Sequence, residues 1–580
     1  MTNWQKPLSA WLRHNAVVLL LYLLLTVAFT WPLVGNLGSN WLATHDTDTF
    51  VKLWDQWWLQ RSQDTGQSLL YTTDLFYPHG LDLTFHSISW IVAPVGWLLT
   101  PLLGRIDAYN VTILWAVFST ATAAYILISY LLKNRVAAFM GGLVYGFAPY
   151  FIAHAGGHPD LVHLAPVPLS ALLLLHTLRR DKPSPWLVVG TAVMLFVAAL
   201  TSLYIMIFAL LTSGPVFLFA AWEEKRWRTG RFWRTTLLLG GITAVLLSLR
   251  LWPIFANSQT LSDMIEAKYE AEDGQTDLQA LITPSHLNPI FAPMVESTSE
   301  TFNINEKWPA YLGMVPLLLM LVALARRQKR SEVVLWFGTA VMFLLLALGP
   351  VLRVGGTVYE NFAMPASYLL WFPPIRAVGR PDFFVLGLLL PLGILAAYGF
   401  DFLWQRASHS PRKTAWQAAL LLAIPLTLFE LWNGPFPGIP ATVHPFYHTL
   451  SQQAEQTAVI ELPMGRQDSK HYLFNQLVHQ KPMVEGLSAR TPEEAYSYIE
   501  ANPLLRQWRH YTWLSCETRR PELDAAVTDL LNDGFRYVIL HHKEEAAPLY
   551  PYFLYIEPVL EDEQITVYDL NALQQRPFCP

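Results

Sequence analysis

Along its length the chain alternates between long apolar runs almost free of charge and short stretches carrying Lys and Arg. A bilayer span needs about 20 mostly apolar residues. Runs near that length occupy residues 15–34, 109–132, 136–153, 161–178, 235–253, 309–325, 333–350, 383–399 and 414–431. The uncharged stretch 185–221 is nearly two spans long and reads as a hairpin turning near Ser202 and Tyr204. About eleven spans result, so the expected fold class is mainly α, a polytopic transmembrane helical bundle. The run 87–103 is short and broken by Pro94 and Pro101. It reads as a helix lying in the interface, because a crossing there would turn most later basic clusters outward.

Basic residues set the orientation, since cytoplasmic loops carry the excess of Lys and Arg. Lys6 and Arg13 precede the first run, which is longer than a signal-peptide core and has no small-residue cleavage site, so it is expected to be retained with its N-terminus inside. With eleven spans, Arg179, Lys225, Lys329 and the 406–413 loop all fall inside. The outside then holds residues 36–110, 154–160, 256–308, 351–382 and everything after Trp432. This is the topology of a multi-pass membrane protein.

From residue 433 the pattern changes to alternating segments such as 458–462, 536–540 and 564–568, which read as strands, and to 470–479 and 521–532, which read as helices. The expected division is therefore a transmembrane domain over 1–432 and a small extracytoplasmic α/β domain over 433–580. No glycine-rich phosphate loop occurs in the tail, because Leu462-Pro463-Met464-Gly465-Arg466 has too little glycine for one.

Composition agrees with a membrane protein: 580 residues, 53% hydrophobic, only 14% charged. A formal net charge of −5 gives no reason to expect nucleic acid as a partner. Cys516 and Cys579 are too few for a disulfide framework or metal cluster, leaving one bridge in the tail as the remaining option.

The chemistry concentrates on the outer face. Asp46 and Asp48 follow the first span and precede a Trp-rich amphipathic stretch through Trp54, Trp57 and Trp58. Two carboxylates at a lipid interface are costly unless they bind a cation or take a proton, which makes them the candidate reactive centre. His154, His158, Asp160 and His163 crowd one short outer loop. With Asp46 or Asp48 they form a candidate ligand set for a divalent metal such as Mg²⁺ or Mn²⁺, against the plainer reading of a short loop that prefers water. Arg376 and Arg380, four apart before a span, suit a lipid phosphate, although arginines also anchor helix ends by snorkelling. The 277–289 loop is long enough to fold over a substrate, and Glu306 beyond it either meets the carboxylates or simply starts a helix.

In this order, an acidic residue in the first outer loop, an interfacial helix, a second acidic site in the next outer loop and a soluble outer tail resemble the GT-C glycosyltransferases. That superfamily includes protein mannosyltransferases, aminoarabinose transferases and oligosaccharyltransferase catalytic subunits. The Asp48 to Trp54 stretch with Trp57-Trp58, the Phe76-Tyr77-Pro78-His79-Gly80 turn, Tyr311-Leu312-Gly313 and Phe372-Pro373-Pro374-Ile375-Arg376 resemble uncharacterised bacterial members. The resemblance implies inverting transfer of a sugar from a polyprenyl-phosphate donor to a lipid, glycan or protein acceptor on the extracytoplasmic face. It implies Asp48 or Asp46 as base or acceptor-orienting group, Asp160 at the second acidic position, and Arg376 or Arg380 on the donor phosphate. The histidine-rich second loop and the Asp-Thr-Asp sequence depart from better-known members. Two rival classes remain: a transporter or flippase of a lipid-linked substrate, and a non-catalytic scaffold presenting the outer domain.

Overall fold

The computed structural model describes residues 8–43, 48–257, 274–300, 308–325, 330–369, 372–453, 457–514 and 521–575. Asp46, Glu306, Lys329, Cys516 and Cys579 lie outside the described residues, so the expectations resting on them have no structural counterpart. The chain is mainly helical and divides into two compact units. One comprises residues 1–46, 89–95 and 106–440; the other comprises 47–88, 96–105 and 441–580.

Among the described residues of the chain, eight helices are long and apolar enough to cross a bilayer. A ninth arises if Arg135–Phe147 and Pro149–Ala155, bent by 49° at Ala148, form one broken span. Pro185–Thr201 and Met314–Ala325, both among the expected eleven, are shorter, at 17 and 12 residues. The hairpin break falls at Ser202, whose extended backbone and hydroxyl, accepting from the Tyr204 N–H, start the Leu203–Trp222 helix. Met314–Ala325 starts late because Gly313 adopts φ +87°, and the Glu430 carboxylate caps the new helix by accepting from the N–H groups of Met314 and Val315, each at 2.9 Å. The first helix, Leu8–Phe29, joins the bundle through Tyr22, which stacks on Phe139 and donates to its carbonyl at 2.9 Å.

The first unit is organised on the Phe384–Ser408 helix, whose residues are buried without a break from Phe384 to Asp401. A helix apolar on every side belongs at the centre of a bundle. Close approach comes from glycines. A Cβ on Gly141 would sit 2.6 Å from the Gly393 carbonyl, and one on Gly393 2.5 Å from the Gly141 carbonyl. A Cβ on Gly399 would lie 1.9 Å from the Leu319 carbonyl oxygen. In lipid, where apolar burial does not drive helices together, such backbone contact is what dispersion requires.

Beyond the Arg330–Ala347 helix the chain forms a hairpin, Val351–Val354 paired with Thr357–Ala363. Its Gly355-Gly356 turn is held by the buried Asp277, whose two oxygens accept from these N–H groups at 2.9 and 2.8 Å. The loop starting at 277, expected as a lid, thus supports a hairpin at its first residue.

The second unit holds a four-stranded sheet ordered Ala458–Leu462, Phe535–His541, Ile565–Asp569, Leu560–Glu561, the first pair parallel and the rest antiparallel. Arg466–His479 follows the edge strand, and Pro521–Asn532 precedes the second. The linear division expected at residue 432 is replaced by a discontinuous one, because the Asp48–Thr65 helix packs on Arg466–His479. Phe50 stacks on Phe474 with centroids 4.9 Å apart, and the Trp54 indole donates to Gln476 Oε1 at 2.8 Å. A helix that buries eleven of its residues, four of them aromatic, needs a partner, and the tail supplies it.

Candidate functional site

In the second unit Asp48 opens the Asp48–Thr65 helix, where the positive end of the helix dipole favours a carboxylate. Its Oδ1 lies 2.6 Å from Lys470 Nζ, with the lysine side chain 12% and the aspartate side chain 32% exposed. One turn on, Lys52 Nζ bonds Asp55 Oδ2 at 2.8 Å, the Ser87 carbonyl at 2.6 Å and the Ser87 hydroxyl at 2.9 Å. Asp55 Oδ1 meets His86 Nε2 at 2.7 Å, and His86 Nδ1 accepts from the Ala489 N–H at 3.0 Å. The acceptor role of Nδ1 puts the ring proton on Nε2, aimed at Asp55. Burial pushes the Asp55 carboxyl up, but Lys52 and then His86 outweigh it and hold it below the ordinary range.

Glu485 is of the opposite kind. Burial pushes its carboxyl up to about 7, against the N–H of Gly465 at 2.9 Å and the more distant Arg509. It faces the start of the Arg466–His479 helix, on which Asp468 pairs with Lys543 and Lys470 pairs with Asp48.

The first unit carries a separate polar cluster. His154, on Pro149–Ala155, has Nδ1 2.9 Å from the Tyr150 carbonyl, and its ring lies 4.4 Å from Trp308 and 5.4 Å from His158. His158 packs on Trp308 at 4.7 Å and on Phe383 at 5.9 Å. Asp382, 2% exposed, pairs with Arg380 at 3.2 Å. The Tyr150 hydroxyl and His158 also act on its carboxylate. Asp160 sits half-buried in the 3₁₀ turn Pro159–Leu161. His163 is buried against Trp115, ring to ring at 5.1 Å, and among the described residues neither ring nitrogen has a hydrogen-bond partner.

The histidines crowded in sequence therefore part in space. His154 and His158 turn to Trp308, while His163 turns to Trp115. Among the described residues no three His, Cys, Asp or Glu side chains are arranged to hold a metal ion. Arg376 closes the short Pro373–Arg376 helix, whereas the guanidinium of Arg380 is shared between Asp382 and the face of Phe383, 5.6 Å away. A small apolar pocket lined by Leu346, Ala366, Ile375, Val378, Arg380 and Phe384 adjoins them.

Residues 17–428 match the sequence family described as a domain of unknown function, DUF6311. The chain belongs to that family. No curated protein matches it in sequence. Its fold is that of the GT-C glycosyltransferases. The apo oligosaccharyltransferase of Archaeoglobus fulgidus aligns with TM-score 0.53 and 11% identity over 91% of this chain and 69% of that one. ArnT from Cupriavidus metallidurans, solved bound to undecaprenyl phosphate, aligns with TM-score 0.50 and 12% identity over 97% of this chain and 98% of that one. The mycobacterial arabinofuranosyltransferase AftD aligns with TM-score 0.55 and 13% identity over 96% of this chain, which spans 41% of AftD's own length.

Sequence reading missed Lys470, the Lys52, Asp55 and His86 network, Asp382 and Glu485. Two had a local signal: Asp55 follows Lys52 by three residues on one helix face, and Asp382 follows Arg380 by two. The contacts of Lys470 with Asp48 and of His86 with Ala489 join residues more than 400 apart and leave no local trace.

Proposed function

We propose that this protein is a membrane glycosyltransferase that moves a sugar from a polyprenyl-phosphate donor to a hydroxyl or amide acceptor on the extracytoplasmic face, with inversion. The observation that carries this reading is the end-to-end agreement of fold with ArnT, a protein solved with undecaprenyl phosphate bound. The central Phe384–Ser408 helix has no charged residue from Phe384 to Phe400, which suits a packed scaffold better than a transport path through mid-membrane.

In this reading the acceptor oxygen or nitrogen attacks the anomeric carbon, the bond from that carbon to the phosphate oxygen breaks, and Asp48 takes the acceptor's proton. Arg376 neutralises the departing polyprenyl phosphate, with Arg380 beside it. Asp46 would orient the acceptor, or with Asp48 hold a divalent metal such as Mg²⁺ or Mn²⁺. Asp160, His158 and Glu306 remain candidates for the second acidic site, from which His163 is turned away toward Trp115. The cytoplasmic N-terminus and outer tail follow from the distribution of Lys and Arg.

The first test is mass spectrometry of lipid copurifying with the protein, where a polyprenyl-phosphate sugar is the expected finding. The second is Asp48→Asn, which keeps volume and removes the base. Turnover should fall by about 10²–10⁴-fold while donor binding survives. Full turnover in both the Asp48→Asn and Asp46→Asn variants would sink this assignment of the base.

A further inference from the structure

The ion pair between Asp48 and Lys470 joins the first loop to the tail, and the two helices that carry it are in register. Asp48 meets Lys470, Phe50 meets Phe474 and His471, and Trp54 meets Gln476. From first pair to last both chains advance six residues, so the helices run parallel and share one packed seam. Below the ion pair His471 is exposed, but the other contacting residues are buried: Phe50 is 4% exposed, Trp54 and Gln476 0%. Elsewhere on the Asp48–Thr65 helix, Lys52 and Asp55 tie it to Ser87 and His86. Both partners of the ion pair therefore stand on elements whose separation is set by packing.

An aspartate at the first position of a helix, one third exposed, can swing between rotamers. A lysine 12% exposed and 2.6 Å away selects one of them. Electrostatics alone would make this a poor arrangement, because a neighbouring cation weakens a carboxylate as a base. Orientation is the compensating gain, since misplacing a reacting group by about 1 Å costs about 10²-fold in rate.

We propose that Lys470, supplied by the C-terminal domain, is a positioning residue for the transfer reaction: it holds the Asp48 carboxylate in the rotamer that receives the acceptor's proton. The tail is then part of the reactive centre and not a separate presenting domain. This rests on the reading of Asp48 as the base, and the experiment separates the two.

The full-length protein in detergent is assayed with a panel of undecaprenyl-phosphate-linked glucose, N-acetylglucosamine, mannose and arabinose. A total envelope extract supplies acceptor, and release of undecaprenyl phosphate is the readout. Lys470→Met should lower kcat about 10- to 100-fold and leave KM for the donor within about twofold. Lys470→Arg should restore most of the loss, with both variants melting near the wild type. In an Asp48→Asn background, Lys470→Met should cost nothing further, because the group it positions is gone. If Asp48→Asn is inactive but Lys470→Met turns over normally, the role of Lys470 is overturned and the base stands. If Asp48→Asn retains full activity, the base assignment falls first and Lys470 with it. Additive losses in the double variant, or equal impairment by Met and Arg, overturn the positioning role, and a wild type inactive on the whole panel overturns the donor class and the inference together.

Discussion

Glu485→Gln gives a quantitative check on the electrostatics of the tail. The Glu485 side chain is buried, 6% exposed, with one oxygen on the Gly465 N–H at 2.9 Å, and burial lifts its pKa from 4.5 to about 7. Because the folded value lies above the unfolded one, the folded state binds the extra proton between about pH 4.5 and 7. Stability from this group is therefore fully present below about pH 4.5 and is lost as pH rises through about 7. The difference of about 2.5 units, at about 1.36 kcal/mol each, amounts to roughly 3 kcal/mol. A glutamine keeps a carbonyl oxygen for Gly465 and carries no charge to desolvate. The variant should match wild type near pH 4.5 and exceed it at pH 8 by about 3 kcal/mol, or about 6–12 °C for a unit of this size. Thermal scans of the detergent-solubilised protein at half-unit pH steps, following unfolding of the second unit by limited proteolysis, provide the measurement. Parallel pH profiles for variant and wild type, or a less stable variant at pH 8, would refute the reasoning.

Gly399→Ala should destabilise the bundle by several kcal/mol, because its Cβ would meet the Leu319 carbonyl at 1.9 Å and backbone cannot step aside, whereas Gly190→Ala, with nothing within 4 Å, should be neutral or slightly stabilising. Equal melting temperatures for the two would show that the helices do not approach so closely. Arg376→Ala with Arg380→Ala should weaken binding of undecaprenyl phosphate by about 1.5–3 kcal/mol per lost charge-assisted bond, with the Lys variants only partly restoring it. Since Arg380 pairs with Asp382, its single replacement should also lower the melting temperature. Unchanged affinity in a well-folded double variant leaves both as anchors of a helix end.

Much of the bundle was legible in the sequence for a simple reason. In lipid every backbone group must be satisfied within its own helix, so an uncharged run of sufficient length announces a span without knowledge of its neighbours. The hairpin break at Ser202 and the strands Ala458–Leu462, Phe535–His541 and Ile565–Asp569 are likewise local events, written in capping and in alternation. The candidate chemistry was legible only as residue types. Asp48 stood out because a charge beside an apolar run is conspicuous, yet nothing near it in the chain names Lys470 as its partner. The same limit explains His163, which looked like one of a set with His158 and instead turned to Trp115. Adjacency in sequence constrains only the backbone, and side chains on either side of the tight Pro159–Leu161 turn diverge within a few residues. Tertiary structure also decided the domain division, since the Trp-rich face of Asp48–Thr65 could be covered by any apolar surface and only folding selected Arg466–His479. Periodicity specifies that a face must be buried. Which surface buries it, and so which groups meet at the reactive carboxylate, depends on contacts between residues hundreds of positions apart.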